Sequence, residues 1–205
     1  MEKETKSNIE IISSPMSNAG PSGTFIFSTL SFLFWAGNIG LFNEGGGIAI
    51  GMIQLGVFGA YVVVSTTLLS RGDSFAGNTF LVFCAVFGGV GGLTNVFSAL
   101  AAAWNIPFDN TAVGIPFITS GLFLLLVLPG LKYAPKTDFL IYLLGGLGVT
   151  ASGLVTMGVL PASLCPVIGW TLFGVGVVAF YSFIAAMLAF LDVIIPVGKP
   201  FFKQN

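Results

Sequence analysis

The chain has 205 residues, of which 55% are hydrophobic and only 7% are charged, and its formal net charge is −1. A soluble domain typically carries about 25% charged residues, because its surface must face water. The composition therefore excludes an ordinary soluble globule, and the small net charge gives no basis for binding nucleic acid. We predict an all-α integral membrane protein whose main surroundings are the lipid bilayer.

Six apolar stretches are long enough to cross the hydrocarbon layer as helices, for which about 20 residues suffice. The breaks between them contain Gly, Pro, Asn or charged residues, which are turn and helix-end signals. In chain order, the predicted spans are 23–42, 47–69, 75–104, 112–131, 139–159 and 167–191. We therefore expect a flexible cytoplasmic tail at 1–17, a six-helix transmembrane domain at 18–198 and a cytoplasmic C-terminal tail at 199–205.

The positively charged residues predict the orientation of this arrangement. With six spans, both tails and the second and fourth loops share one side, and the other side carries only Glu44 and Asp109 as charged residues. The shared side holds every Lys and Arg of the chain, namely Lys3, Lys6, Arg71, Lys132, Lys136, Lys199 and Lys203. Basic residues in short loops mark the cytoplasmic face. We therefore expect a multi-pass protein of the cell membrane with both termini in the cytoplasm.

The residue types that enzymes and metal sites need are missing or scattered. The chain has no histidine, no cysteine pair at metal-binding spacing and no pair of carboxylates within a span. We therefore expect no enzyme, no catalytic residue, no metal and no cofactor. Neutral polar side chains within spans either bond neighbouring helices or contact a solute. Those of this chain are Asn38, Gln54, Asn78, Thr79, Asn95, Thr150, Ser152 and Thr156.

Residues 18–24, immediately before the first span, have the pattern of a helix N-terminus. Pro21 is typical of the first helical turn, and Asn18 and Ser22 are candidate capping residues. The free N–H groups and the positive end of the helix dipole can hold a carboxylate there without any Lys or Arg. Ordinary capping is the alternative interpretation.

Several short motifs follow one another between Asn18 and Gly198. Asn18, Pro21 and Gly23 precede the first span, and the run Asn-Ile-Gly-Leu-Phe at 38–42 ends it. Gly-Asp-Ser-Phe at 72–75, followed by Phe80, opens the third span, and Phe-Tyr at 180–181 and Ile-Pro-Val-Gly at 195–198 lie near the end. In order and spacing these motifs resemble those of the acetate uptake transporter family, whose members include succinate–acetate permeases. The family's signature reads Asn-Pro-Ala-Pro-Leu-Gly-Leu, from which this chain departs at Ala19, Gly20, Ser22 and Thr24.

The resemblance implies a six-helix protomer that surrounds its own pore, gathered into a homo-oligomeric ring of six protomers. It implies passage of acetate, succinate or related small carboxylates, by proton-coupled symport or by channel-like transport. The family's apolar constriction uses a Phe and a Tyr, which correspond to Phe27 and Phe83, and a Gln common in its second helix corresponds to Gly59. The substrate or pore residues that we expect are therefore Asn18, Pro21, Gly23, Phe27, Asn38, Phe80 and Phe83.

Two other functions remain open at this point. A channel for small neutral solutes, such as urea, short amides or ammonia, fits the absence of basic residues within the spans equally well. A membrane sensor that binds an acid but transports nothing fits the departures from the signature. For a carboxylate transporter, the same absence means that neutral donors must hold the anion or that the acid crosses protonated, because burying an unpaired charge is costly.

Overall fold

A computed structural model of the chain describes residues 18–43 and 45–202, and all regular structure in these residues is helical. A π-helical segment, Cys84–Val90, joins two of the α-helices into one long helix, Ser74–Ala103. Short 3-10 turns occur at Thr111–Val113, Leu128–Leu131 and Ala162–Leu164. The α-helices are α1 (Gly20–Asn38), α2 (Gly46–Ser70), α3 (Ser74–Phe83), α4 (Gly91–Ala103), α5 (Gly114–Leu126), α6 (Lys136–Thr156) and α7 (Cys165–Ala189).

The prediction of six helices at six places is confirmed, although several helices end earlier than predicted. α1 ends at Asn38, because Gly40 adopts a left-handed conformation with a φ of 74°. α5 ends at Leu126, ahead of a 3-10 turn that contains Pro129. α7 ends at Ala189, and Asp192 beyond it also has a positive φ of 59°. The predicted tail at 1–17 lies outside the described residues.

Four of the described helices are long and apolar enough to cross a bilayer, which identifies a membrane protein. They are Gly46–Ser70, Ser74–Ala103, Lys136–Thr156 and Ala162–Ala189. The apolar helix Thr111–Leu126 is shorter. α1 does not reach the same apolar content, because Gly, Ser and Thr make up much of its first half.

The helices form a closed ring in the order of the chain. α1 packs on α2, α2 on the long helix, α5 on the π segment and on α6, and α7 on both α6 and α1. Glycine lets neighbouring backbones approach closely at these contacts. Gly88 packs on Phe58, and Gly92 on Leu55, so the small-xxx-small pair of the long helix faces α2 as its spacing suggests. The ring closes where the hydroxyl of Ser28 in α1 donates a 2.8 Å hydrogen bond to the carbonyl of Gly176 in α7.

The packing of the helices places the starts of α1, α3 and α6 at the same end of the ring as the ends of α2 and α7. Phe75 of α3 stacks on Tyr142 of α6, with ring centroids 6.0 Å apart. We call this the basic end, because it carries all the described basic residues, namely Arg71, Lys132, Lys136 and Lys199. Lys3, Lys6, Lys203 and Glu44, which also entered the predicted orientation, lie outside the described residues.

The opposite end, which we call the far end, carries the exposed loop between α4 and α5. Asp109 in this loop accepts hydrogen bonds from the hydroxyl and the backbone N–H of Thr111, at 2.7 and 2.9 Å. Both bonds stabilise the ionised carboxylate, so they lower the pKa of Asp109.

Candidate functional site

A cavity of about 270 Å³ opens among the helices at the basic end. Its walls combine aromatic rings with a few polar groups from α1, α3 and α6. One of these groups, the hydroxyl of Tyr142, lies 3.3 Å from the hydroxyl of Thr79, so the two helices are linked across the wall. The residues that shape this basic-end cavity include Gly20, Thr24, Phe27, Thr79, Phe80, Phe83, Asp138 and Tyr142.

A second cavity, of about 260 Å³, lies toward the far end. Its polar groups are amides, hydroxyls and a thiol, and no Asp, Glu, Lys or Arg of the described residues lines it. Such a cavity can hold a small polar solute by hydrogen bonding. The residues that shape this far-end cavity include Phe34, Asn38, Gln54, Phe87, Asn95, Phe117, Ser152, Thr156 and Cys165.

Three buried phenylalanine rings separate the two cavities, and we call them the aromatic barrier: Phe27, Phe83 and Phe87. Phe27 and Phe83 stack with centroids 4.6 Å apart and planes inclined by 9°, and both line the basic-end cavity. Phe87 follows at 5.2 Å from Phe83 and lines the far-end cavity. The structure thus brings together Phe27 and Phe83, the two expected constriction residues. Phe87 was not among the predicted site residues, although it lies one helical turn after Phe83.

Of the signature positions at the start of α1, Gly20 and Thr24 line the basic-end cavity, whereas the retained residues Asn18, Pro21 and Gly23 shape the helix. The side-chain oxygen of Asn18 accepts a 2.9 Å hydrogen bond from the backbone N–H of Gly20, which corresponds to the capping interpretation. Pro21 lies in the first turn and is buried. Gly23 is buried directly behind the ring of Phe80, and that ring lines the basic-end cavity.

Asn38 lies at the other end of α1 from the other predicted site residues. Its amide donates a 2.8 Å hydrogen bond to the carbonyl of Phe34 in the preceding turn. The side chain lines the far-end cavity, on the opposite side of the aromatic barrier from Phe80. The predicted set therefore divides between two sites, because α1 extends from one cavity to the other.

A buried amide of α2 holds the π segment in place. Gln54 is fully buried; its Nε2 donates a 2.7 Å hydrogen bond to the carbonyl of Phe87, and its Oε1 accepts a 2.6 Å bond from Nδ2 of Asn95. A β-carbon on Gly91 would lie 2.5 Å from Nε2, so glycine provides the space for the amide. π segments are rare and frequent at functional sites. Here, Gln54 binds the backbone carbonyl of Phe87, whose ring belongs to the aromatic barrier.

The two motifs at the end of the chain contact each other. The hydroxyl of Tyr181 donates a 2.6 Å hydrogen bond to the carbonyl of Pro196. The carbonyl of Val197 accepts a 3.3 Å bond from the backbone N–H of Thr137, in the first turn of α6. The segment after α7 therefore folds back over the start of α6 at the basic end.

The predicted spans leave Asp138 in the break between residues 131 and 139, but it lies in the first turn of α6. The helix begins earlier than predicted because Pro135 precedes it, and an acidic residue in the first turn is favourable there. The Asp138 carboxylate lines the basic-end cavity and receives a weak 3.5 Å hydrogen bond from the Ser182 hydroxyl. Within residues 18–43 and 45–202, no group of three or more His, Cys, Asp or Glu residues is placed to hold a metal ion.

The arrangement of helices matches that of a solved protein described as the bacterial acetate channel SatP. The two structures superpose with a TM-score of 0.70 at 14% sequence identity, over 93% of this chain and 100% of that chain. No protein-family model matches the chain, and no curated protein matches its sequence. At this low identity the likeness is one of fold. The chain has the fold of a bacterial acetate channel.

Proposed function

We propose that the chain is a membrane channel or transporter for acetate and related small mono- and dicarboxylates. The observation that supports this function is the aromatic barrier: two cavities at opposite ends of a helical ring meet at Phe27, Phe83 and Phe87. The same fold occurs in a protein described as an acetate channel. In this proposal each protomer has its own pore, which leads from one cavity to the other across the barrier.

The lining of the two cavities suggests how a small acid would be handled. The far-end cavity offers the amides of Asn38 and Asn95, which can donate to a carboxylate or to a neutral acid. The barrier offers only aromatic carbon, and an apolar constriction of this kind can gate by dewetting. A bare anion loses its hydration there, so we propose that the acid crosses largely protonated, which amounts to cotransport of a proton.

We propose that all six helices cross the membrane, with both termini in the cytoplasm of the cell. Thr111–Leu126 and α1 are packed between helices long enough to cross. In cells that express variants lacking Cys84 and Cys165, an impermeant maleimide should label Asp109→Cys from outside and spare Lys132→Cys. Labelling of Lys132→Cys from outside in intact cells would reverse this orientation.

We also propose that the protein assembles into a homohexameric ring and has no catalytic activity. The support for the ring is the resemblance of the motifs between Asn18 and Gly198 to those of the acetate uptake transporter family. Native mass spectrometry of the protein in detergent should show six copies of the 21.4 kDa chain. A monomer in the same spectrum would contradict the ring and leave the proposed transport unaffected.

The decisive experiment is flux through proteoliposomes that contain the purified chain. Labelled acetate should enter these vesicles faster than it enters empty liposomes, with acidification of the lumen when external pH is low. The far-end cavity has no charged lining among the described residues, which also favours a channel for neutral solutes such as urea. Swelling in urea without uptake of acetate would replace the carboxylate proposal by that second function. Binding of acetate without any flux would instead indicate a sensor.

A further inference from the structure

The carboxylate of Asp138 lies between two cavities at the basic end. On one side is the basic-end cavity, which ends at the aromatic barrier. On the other is a cavity of about 310 Å³ between α6, α7 and the segment after α7, lined by Ser182, Ala185, Ile194 and Val197 among others. Small side chains of α7 leave this space open, so the carboxyl group has a second route to water beside the one through the basic-end cavity.

Few groups balance the charge of this carboxylate. Within the described residues, the one hydrogen bond that reaches it from another helix is the weak bond from Ser182. Lys136 holds its ammonium 5.1 Å from the ring centroid of Phe201, and Lys132 holds its ammonium 4.8 Å from that of Tyr133. The other ionisable groups of the elements packed around Asp138 are Tyr142, Asp73, Arg71, Tyr181, Asp192 and Lys199.

Asp73 adds negative charge beside this cavity. Its side-chain oxygen accepts a 3.1 Å hydrogen bond from the backbone N–H of Ala76 and so begins α3. Asp138 and Tyr142, one helical turn apart on α6, line the same cavity. An anion in the basic-end cavity is therefore repelled locally by the Asp138 carboxylate, against the attraction of the basic residues at the same end.

We propose that Asp138 is a specificity-determining residue that selects acids by their charge. The inference rests on the proposed transport of small carboxylates. Repulsion from a fixed negative charge grows in proportion to the charge of the solute. At pH 7 the acids enter the basic-end cavity as anions, ahead of the barrier that we propose they cross protonated. There a dianion such as succinate is repelled twice as strongly as acetate at the same distance, and a protonated acid is not repelled at all. Protonation of Asp138 itself removes the discrimination.

The test compares labelled acetate and labelled succinate fluxes at pH 7 in proteoliposomes that contain the whole chain. Asp138→Asn should raise the succinate-to-acetate flux ratio about fivefold or more, and Asp138→Ser should raise it similarly. Asp138→Glu should keep the wild-type ratio, because it retains the charge. Asp192→Asn is the matched control, since it removes an exposed carboxylate that lines neither cavity, and it should also keep the wild-type ratio.

The outcomes separate this inference from the function on which it rests. Acetate flux in the wild type, with an unchanged ratio in both Asp138→Asn and Asp138→Ser, would overturn the role of Asp138 alone. Absence of acetate flux in the wild type would overturn the proposed function and this inference together. Folding of each variant is checked by gel filtration in detergent, and the two neutral variants provide independent readings should one of them fail to fold.

Discussion

Gly23 of α1 lies so close to the ring of Phe80 in α3 that no methyl group fits between them. A β-carbon built on Gly23 would lie 2.6 Å from two ring carbons of Phe80, whereas ordinary contacts begin at about 3.5 Å. Glycine is needed here for space rather than for backbone conformation, because Gly23 is within a regular helix. Two residues that the sequence singled out separately are thus one packing unit in the wall of the basic-end cavity.

Gly23→Ala should therefore destabilise the protein and displace the Phe80 ring. Overpacking of this kind costs roughly 1–3 kcal/mol, because a ring cannot bend away as a flexible side chain can. The measurement is thermal unfolding in detergent together with acetate flux. Gly56→Ala is the control, since its β-carbon would meet nothing within 4 Å and alanine favours helix. Equal melting temperatures for the two variants would contradict the contact.

Phe27→Ala should widen the path between the cavities and increase flux without unfolding the protein. The substitution removes the ring that stacks at 4.6 Å on Phe83, and larger acids such as butyrate should gain most. Truncation of a buried Phe costs about 3–5 kcal/mol, so a lower melting temperature is expected as well. Phe25→Ala on the same helix is the control, because Phe25 is 43% exposed and lies outside the barrier. Unchanged flux for every acid would show that Phe27 does not line the path.

Gln54→Leu should destabilise the π segment. The change leaves the carbonyl of Phe87 and the amide of Asn95 without the partner that each has now, and an unsatisfied buried polar group costs about 1–3 kcal/mol. Hydrogen exchange of residues 84–90 should speed up, as followed by mass spectrometry. Asn78→Leu serves as the comparison, since that exposed amide bonds only within its own helix, to Ser74. Similar exchange of residues 84–90 in both variants would remove the role assigned to Gln54.

Tyr181→Phe should release the segment that folds over the start of α6. The hydroxyl forms the 2.6 Å bond to Pro196, and one such bond contributes about 0.5–1.5 kcal/mol. Limited proteolysis should then cut residues 192–202 sooner than in the wild type. Tyr133→Phe removes a hydroxyl at the same end that does not contact this segment, and it should leave the cleavage rate unchanged. Identical rates in both variants would mean that the Tyr181 bond does not restrain the segment.

Composition and apolar length predicted the helices, but not their irregularities. The six stretches were recognisable because each is apolar on all sides, and the basic residues at one end followed from the same division of the chain. The π segment was not predictable, since its Phe87 carbonyl accepts a hydrogen bond from Gln54 of another helix, and local sequence does not show which carbonyl a distant amide will bind. Asp138 was missed for a related reason: a carboxylate at a helix start has the sequence pattern of a solvated loop until α7 packs beside it.

Likewise, the resemblance to known transporters identified Phe27 and Phe83 but could not supply Phe87. That ring borders the far-end cavity and lies in the π segment that follows Phe83. Asn38 was singled out together with the residues of the basic-end cavity, and only the structure shows that it belongs to the other cavity.

The closure of the helical ring between α1 and α7 has a consequence for how the protein is made. A ribosome releases the helices in the same order in which they stand around the ring, so each new helix finds the previous one already in place. Only α1 lacks its second neighbour until synthesis is almost complete, because the acceptor for Ser28 is the carbonyl of Gly176, 148 positions later. During that interval the face of α1 that α7 will cover is left to lipid or to the insertion machinery.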